Sequence, residues 1–410
     1  MPGPLNNVRV LDFSTVLMGP YACEVLAEHG ADVIKIESLT GDGARAIGPV
    51  RSPEMGPLFL GLNRSKRSIS IDIKKPAGHS ILRKLIVKSD VLVTNVRPAA
   101  LARLGLSYED IHESNPSIIF CRLFGYGENG PYAGRPAYDD LIQGAAAIPS
   151  LVADAAGSEP RYVPMNIADR TVGLSAACSI SMALYHRERT GQGQQIDIPM
   201  FETMASFVLS DHLFGRAFEP AIGEPGYVRL LSGDRRPYRT KDGYVCVVVY
   251  TTQQWRRLLT HLEDKSLEDD PRFRDIAART SNVDAVLSYL RKVLMERTTS
   301  EWLRVFDQLD IPCAALNTLD SLIDDPHLNT VGFFKLIEHP TEGSIRTTVV
   351  PANWSQTPPS PSRECARLGE HTAEILEQLE YSPHEILELA RQEVIRCPMG
   401  RPGNSGDSRV

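Results

Sequence analysis

Through its first 125 residues the chain alternates short β-branched runs with helix-periodic segments, the pattern of a sheet with crossover helices. Arg9 to Phe13 reads as a strand. Pro20 to His29 reads as a helix with Ala22, Val25 and Leu26 on its apolar face and Gly30 ending it, and Asp32 to Glu37 as the next strand. The alternation continues through Ser68 to Ile73, Pro76 to Ser89, Asp90 to Asn95 and Ser117 to Phe124. Short helices are expected at Pro98 to Leu104 and Tyr108 to Glu113. An α/β domain follows.

Ala168 to Arg189 predicts one long helix. Gly173, Ala176, Ala177 and Ala183 invite close packing, Arg187 and Arg189 sit where the helix dipole favours cations, and Gly191 ends it. Gln195 to Pro199 predicts a strand and Phe201 to Leu213 a helix, and Gly215 to Asp234, rich in Gly, Pro and charge, marks a domain boundary. Beyond it, Asp242-Gly243 between the β-forming halves of Pro237 to Tyr250 signals a hairpin. Helical patterns around Trp255, over Val283 to Leu294 and over Trp302 to Leu309 complete a smaller α+β unit. Pro312 to Leu316 and a hairpin over Phe333 to Val349 lead back toward the first domain, and Pro351 to Pro361 reads as a surface arm. The expected division is 1–214, large domain; 215–310, small α+β domain with linkers; 311–395, C-terminal return to the large domain; and 396–410, flexible tail.

The 410 residues carry 44 Lys and Arg against 51 Asp and Glu, a net charge of −7, and 42% are hydrophobic. That is the balance of a globular protein. A net negative field argues against sequence-independent nucleic-acid binding, so a phosphate-bearing ligand needs a local basic pocket. The expected partner is a small molecule. The seven cysteines are scattered without a C-x-x-C pair, the start lacks a signal-peptide pattern, and no apolar run reaches the roughly 20 residues that cross a bilayer. A cytoplasmic protein away from the membrane is the expectation.

A literal G-x-G-x-x-G stands at Gly125, Gly127 and Gly130, but Pro131, Gly134 and Pro136 follow where a dinucleotide fingerprint must open a helix. It reads instead as a mobile loop over substrate. Basic residues gather at Arg64, Lys66 and Arg67 and again at Arg97 and Arg103, near strand ends where open α/β sheets hold ligands; a solvated surface cluster is the plainer reading. Asp169 opens the long helix, where N-capping is the ordinary role of an aspartate and nucleophilic attack from a water-poor site the chemical one. Spacing does not choose between them. G-x-S-x-G, H-E-x-x-H, a Walker A loop and a Cys/His cluster are missing, so serine hydrolysis, zinc chemistry and nucleotide hydrolysis lack their usual parts, and no metal site is expected.

Several segments, in order and spacing, resemble the class III coenzyme A transferase family, which includes formyl-CoA and carnitine-CoA transferases and 2-methylacyl-CoA racemases. They are Val10-Leu-Asp-Phe13, Gly30 through Glu37, Asn63 through Ile69, Asn95-Val-Arg-Pro98, Arg103-Leu-Gly-Leu106, Gly125-Tyr-Gly and Pro136-Ala-Tyr-Asp139. Asp169, Thr190-Gly-Gln-Gly-Gln194, Pro312-Cys313 and Gly369-Glu-His-Thr372 continue the match. The resemblance implies a Rossmann-like large domain formed by both ends of the chain, a smaller α+β domain, and an interlocked homodimer. It implies that Asp169 is the nucleophile. It also implies that CoA contacts Leu17, Met18, Ile71, Asp72, Ile73, Lys74, Asn95, Val96, Arg97, Arg103, Tyr138 and Asp139, with no cofactor beyond coenzyme A as co-substrate.

The implied reaction moves CoA from a donor thioester to a small carboxylic acid through an acyl-aspartyl anhydride and an aspartyl-CoA thioester. The alternatives are a 2-methylacyl-CoA racemase or isomerase on the same fold and a catalytically silent CoA-binding protein. Tyr138 stands where the racemases carry a histidine, and a phenol with an ordinary pKa near 10 is a poor base at neutral pH. Formyl-CoA transferases carry His and Gln where this chain has Thr15 and Leu17, an arginine in place of Ser38, and a glycine run with no counterpart here. A larger acid is therefore expected, a dicarboxylate with succinyl-CoA as donor and with Arg45 or Arg51 pairing the distal carboxylate.

Overall fold

A computed structural model describes residues 3–397. Its main sheet has seven strands: β1 (Arg9–Phe13), β2 (Asp32–Glu37), β3 (Lys66–Ile71), β4 (Val91–Thr94), β5 (Ile119–Phe124), β6 (Gln194–Pro199) and, after five more described below, β12 (Ile395–Arg396). They run in the order β12-β3-β2-β1-β4-β5-β6, with every pair parallel except β12 against β3. Parallel strands are covered on both faces, and so β4 reads Val-Leu-Val and β5 Ile-Phe-Cys without alternation. One face is sealed by Leu11, Ile34, Ile69, Leu82, Leu92, Phe120 and Leu376 in a single apolar cluster.

β3 starts at Lys66, two residues before the expected Ser68, and pairs Lys66 with Val33 and Arg67 with Ile34. The charges are admitted because each finds an acid. Lys66 Nζ lies 2.8 Å from Asp12, and Arg67 lies 2.6 Å from Asp32 and 2.9 Å from Glu374. The long helix spans Ile167–Thr190, as its glycine stop at Gly191 predicts, and crosses the helix Met18–Glu28 at Gly173, where a Cβ would stand 2.8 Å from the Met18 carbonyl oxygen.

By internal contacts the chain forms two compact units. One comprises the chain up to Ile142, Met165–Met204 and the chain from Thr330 on; the other comprises Gln143–Pro164 and Ala205–Asn329. The first also holds the hairpin of β10 (Phe334–His339) and β11 (Gly343–Thr348). The second contains an antiparallel sheet, β7 (Tyr238–Arg239), β8 (Tyr244–Val247) and β9 (Cys313–Ala315), on a core that includes Trp255, Leu258, Leu290, Trp302 and Phe306.

Three expected boundaries move. Cys313–Ala315, read as the start of the return to the large domain, pairs instead with Val245–Val247 in the small sheet, because its neighbours there are the hairpin strands already built. The helix Ile148–Ala156, assigned within 1–214, belongs to the second unit. Arg396, placed in a flexible tail, closes the large sheet opposite Ser70; the rest of that tail from residue 398 lies outside the described residues.

Candidate active site

The parallel strands follow the order 3-2-1-4-5-6, so the chain reverses direction across the sheet between β1 and β4, and crevices form outside the carboxyl ends of such strands. Here a cleft of about 490 Å³ opens there, lined by Thr15–Met18 after β1, Asn95, Arg97 and Arg103 after β4, Gly125–Tyr126 and Gly134–Tyr138 after β5, Met200 after β6, and Asp169.

A buried ionic network shapes its first wall. The Asp12 carboxylate accepts hydrogen bonds from the Ser14 amide and hydroxyl, while Lys35 lies 3.0 Å from Asp42 and donates to the Ser14 carbonyl at 3.1 Å. Both Asp42 oxygens accept from the Val16 N–H at 3.1 Å. That grip holds Val16 at φ 69°, a left-handed conformation that costs a β-branched residue about 1–3 kcal/mol. Asn95 binds the same turn from the β4 side, accepting from the Thr15 amide at 3.0 Å and donating to its carbonyl at 2.8 Å. The adjoining walls of the switch point are thereby tied together.

Asp169 is the third residue of the long helix, and Asn166 occupies the N-cap position, so the capping role is not its own. Instead Asp139, buried at the start of the helix Asp139–Ala145, accepts the Asp169 N–H at 2.8 Å and serves one of the helix's unpaired first-turn donors. The Asp169 side chain is thus left to face the cleft. Burial, then the charge of Asp139, raise its carboxyl from 3.8 to about 7, with Arg170 opposing. The helix N-terminus favours the anion by only about 0.3–1 kcal/mol, too little to reverse a shift of that size.

The glycine loop after β5 is fastened rather than loose. The Phe201 amide donates to the Gly125 carbonyl at 3.0 Å and the Gly127 amide to Glu202 at 2.8 Å, and Tyr126, Tyr132 and Phe201 pack as an aromatic cluster. Glu202 carries no motif, and only its contact with Gly127 reveals its role. Arg135 lines the cleft, its guanidinium 4.5 Å from the centre of the Tyr132 ring. No sequence pattern marks it, since it lies just before the family-like Pro136-Ala-Tyr-Asp139.

Of the residues expected around CoA, Leu17, Met18, Asn95, Arg97, Arg103 and Tyr138 share this cleft with Asp169. Ile71, Asp72, Ile73 and Lys74 line a separate cavity of about 340 Å³ with Phe13 and Thr40. Val96 packs against the sheet core and Asp139 caps the helix. Arg97 and Arg103 are exposed and form no ion pair among the described residues. The other basic cluster is structural: Arg64 pairs with Glu28 and Glu24, and Lys66 and Arg67 with the acids named above. Arg45 is likewise buried, bound by both Glu37 oxygens at 2.7 Å and stacked 3.7 Å over Phe59, and Arg51 donates to the Glu342 and Ser344 carbonyls. Neither reaches the cleft lining.

The sequence pattern described as CoA-transferase family III matches residues 5–372. The chain belongs to that family. This family III CoA-transferase is 31% identical over 400 residues to the human succinyl-CoA:glutarate CoA-transferase, covering 96% of this chain and 90% of the relative. It is 31% identical over 389 residues to the succinate–glutarate CoA-transferase of Agrobacterium fabrum, covering 92% and 96%. A crystal structure of a CAIB/BAIF family protein from Brucella suis superposes with a TM-score of 0.77 at 29% identity, over 92% of this chain and 100% of that one. The chain is thus an enzyme, a transferase. Among its described residues no helix is long and apolar enough to cross a membrane.

Proposed function

We propose that this enzyme moves CoA from a donor acyl-CoA to an acceptor carboxylic acid with Asp169 as the covalent nucleophile. The observation that carries this reading is a largely buried carboxylate sharing one cleft with Arg97 and Arg103, two cations free to meet CoA phosphates. The Asp169 carboxylate attacks the thioester carbonyl, giving an acyl-aspartyl anhydride and CoA thiolate. The thiolate returns to the aspartyl carbonyl and releases the donor acid as a carboxylate. The acceptor carboxylate then attacks the aspartyl-CoA thioester to form a second anhydride and thiolate, and the thiolate takes the acceptor acyl group, restoring Asp169. A water-poor site protects the anhydrides from hydrolysis.

Succinyl-CoA as donor and a small dicarboxylic acid as acceptor fit the cationic cleft and the two glutarate CoA-transferases to which the chain is similar. With Arg45 and Arg51 engaged elsewhere, Arg135 takes the distal carboxylate. Arg135→Gln is expected to raise KM for glutarate about tenfold, the scale of one charge-assisted hydrogen bond, with little change for a monocarboxylate of equal length. An equal effect on both acids would remove Arg135 from that role. The proposed setting is a cytoplasmic, interlocked homodimer. Leu174, Met182 and Tyr185, exposed along the long helix, supply an apolar face for such a partner, and solution scattering at twice 45.3 kDa checks it.

The defining experiment incubates the enzyme with succinyl-CoA and hydroxylamine, then maps the hydroxamate by mass spectrometry; the label should fall on Asp169. Label elsewhere, with transfer proceeding, would sink the reading. The pH profile gives a second check. The nucleophile must be ionised, so kcat/KM is expected to rise with pH through a midpoint near 7 and level off above it. Asp139→Asn keeps an oxygen to accept the Asp169 N–H while removing the neighbouring charge, and so should move that midpoint to lower pH. A midpoint that stays in place would mean that Asp139 does not tune Asp169.

A further inference from the structure

The second unit contains a cavity of its own, about 310 Å³ in volume. Its floor is built from core side chains, Val247, Trp255, Val286 and Leu290, each more than nine-tenths buried. Its rim carries Arg229, Arg235 and Arg236. Asp234 stands nearby, but Arg291 at 2.9 Å and Arg236 at 3.7 Å already hold its carboxylate, and Arg229 and Arg235 form no ion pair among the described residues. Two positive charges therefore face an apolar hollow without a counter-charge of their own.

Tyr238 adds a donor at the same place. The residue is 4% exposed, lines the cavity, and its hydroxyl has no hydrogen-bond partner among the described residues. Burial pushes the phenol up to about 12, Asp234 adds to the push, and Arg229, Arg236 and Arg235 oppose it, so these guanidinium groups lie within electrostatic reach of the phenol. The hydroxyl stays protonated at neutral pH and can donate.

We propose that this cavity binds a small organic carboxylate bearing a short hydrocarbon tail, its oxygens held by the Tyr238 hydroxyl, Arg229 and Arg235 and its tail lying against Trp255, Val286 and Leu290. An inorganic anion would leave the apolar floor uncovered. A neutral hydrocarbon would leave the two cations unmatched. The site shares no lining residue with the Asp169 cleft, and its occupancy does not depend on the transfer reaction.

The test uses the full chain and two photoreactive probes, a diazirine-bearing hexanoic acid and its primary amide, with labelled peptides mapped by mass spectrometry. The acid should label the peptides carrying Trp255 or Val283–Leu290 about tenfold more than the amide does, the factor that corresponds to one charge-assisted bond. Arg229→Gln with Arg235→Gln should lower that labelling by a similar factor, and Tyr238→Phe, which keeps the ring in the core, by several-fold. Equal labelling by acid and amide on the unaltered protein would overturn the proposal, as would acid labelling confined to the peptides of Gly125–Tyr138 and Asp169. Either failure leaves hydroxylamine trapping at Asp169 untouched, so the two readings fall separately.

Discussion

Replacing Asp169 by asparagine is expected to abolish CoA transfer and, above neutral pH, to make the protein more stable. Loss of turnover, by at least about 10³-fold, follows if the carboxylate is the covalent acceptor, since no neighbouring group replaces a missing nucleophile. The stability gain follows from the same burial. With its pKa raised from 3.8 to about 7, Asp169 keeps its proton to higher pH in the folded chain than in the unfolded one. Below pH 3.8 both states are protonated and the residue costs nothing on this account; between 3.8 and 7 the cost grows; above 7 it is complete, on the order of 4 kcal/mol. Urea unfolding at pH 4 and pH 8 measures this directly. Asp169→Asn should match the wild type at the lower pH and exceed it at the higher. A pH-independent difference, or transfer surviving in the variant, would contradict the expectation. The same desolvation both prepares and destabilises the nucleophile, a trade-off common at active sites.

Asp12→Ala should have the largest effect on folding. Burial alone would push the Asp12 carboxyl up, but Lys35, Lys66 and the hydrogen bonds from Lys66 and Ser14 bring it below 3.8. A carboxyl lowered in this way adds stability at neutral pH that is lost as the pH falls through its folded pKa. Removing it leaves Lys35 with Asp42 but Lys66, among the described residues, with Asn63 and the Pro20 carbonyl and no acid, and an unpaired buried charge costs about 3–5 kcal/mol. The double variant Asp12→Ala with Lys66→Met should recover much of the loss, because the orphaned charge leaves with its partner. An Asp12→Ala protein within 1 kcal/mol of wild type, on the scale of an exposed pair, would mean that the network does not hold the sheet. Transfer should fall as well, since Asp12 carries the Ser14 turn that leads to Val16 at the cleft.

Much of the fold was legible along the chain. The βαβ beginning, the helix ending at Gly191 and the hairpin at Asp242-Gly243 are local patterns, and the structure places them within a few residues of expectation. The two-residue strand Ile395–Arg396 was not legible, because so short a segment has no period to detect, and the small-sheet partnership of Cys313–Ala315 depends on a strand 66 or more residues earlier. The candidate site divides in the same way. Asp169 stood out through its place at a helix start among family-like segments, but its raised pKa depends first on burial and then on Asp139, which lies 30 residues away in sequence.

The basic residues make the division clearest. As a sequence, Arg45, Arg64, Lys66 and Arg67 look no different from Arg97, Arg103 and Arg135. In the folded chain the first group meets Glu37, Glu28, Asp12, Asp32 and Glu374 and becomes part of the frame, whereas the second lines the cleft. Hydrophobic periodicity is written between neighbours along the chain, so the amino-acid order by itself determined the strands, the helices and the kind of sheet they build. Whether a charge is neutralised depends on what lies a few ångströms away, often hundreds of residues distant, and only the tertiary structure decided which cations hold the protein together and which are left for a ligand.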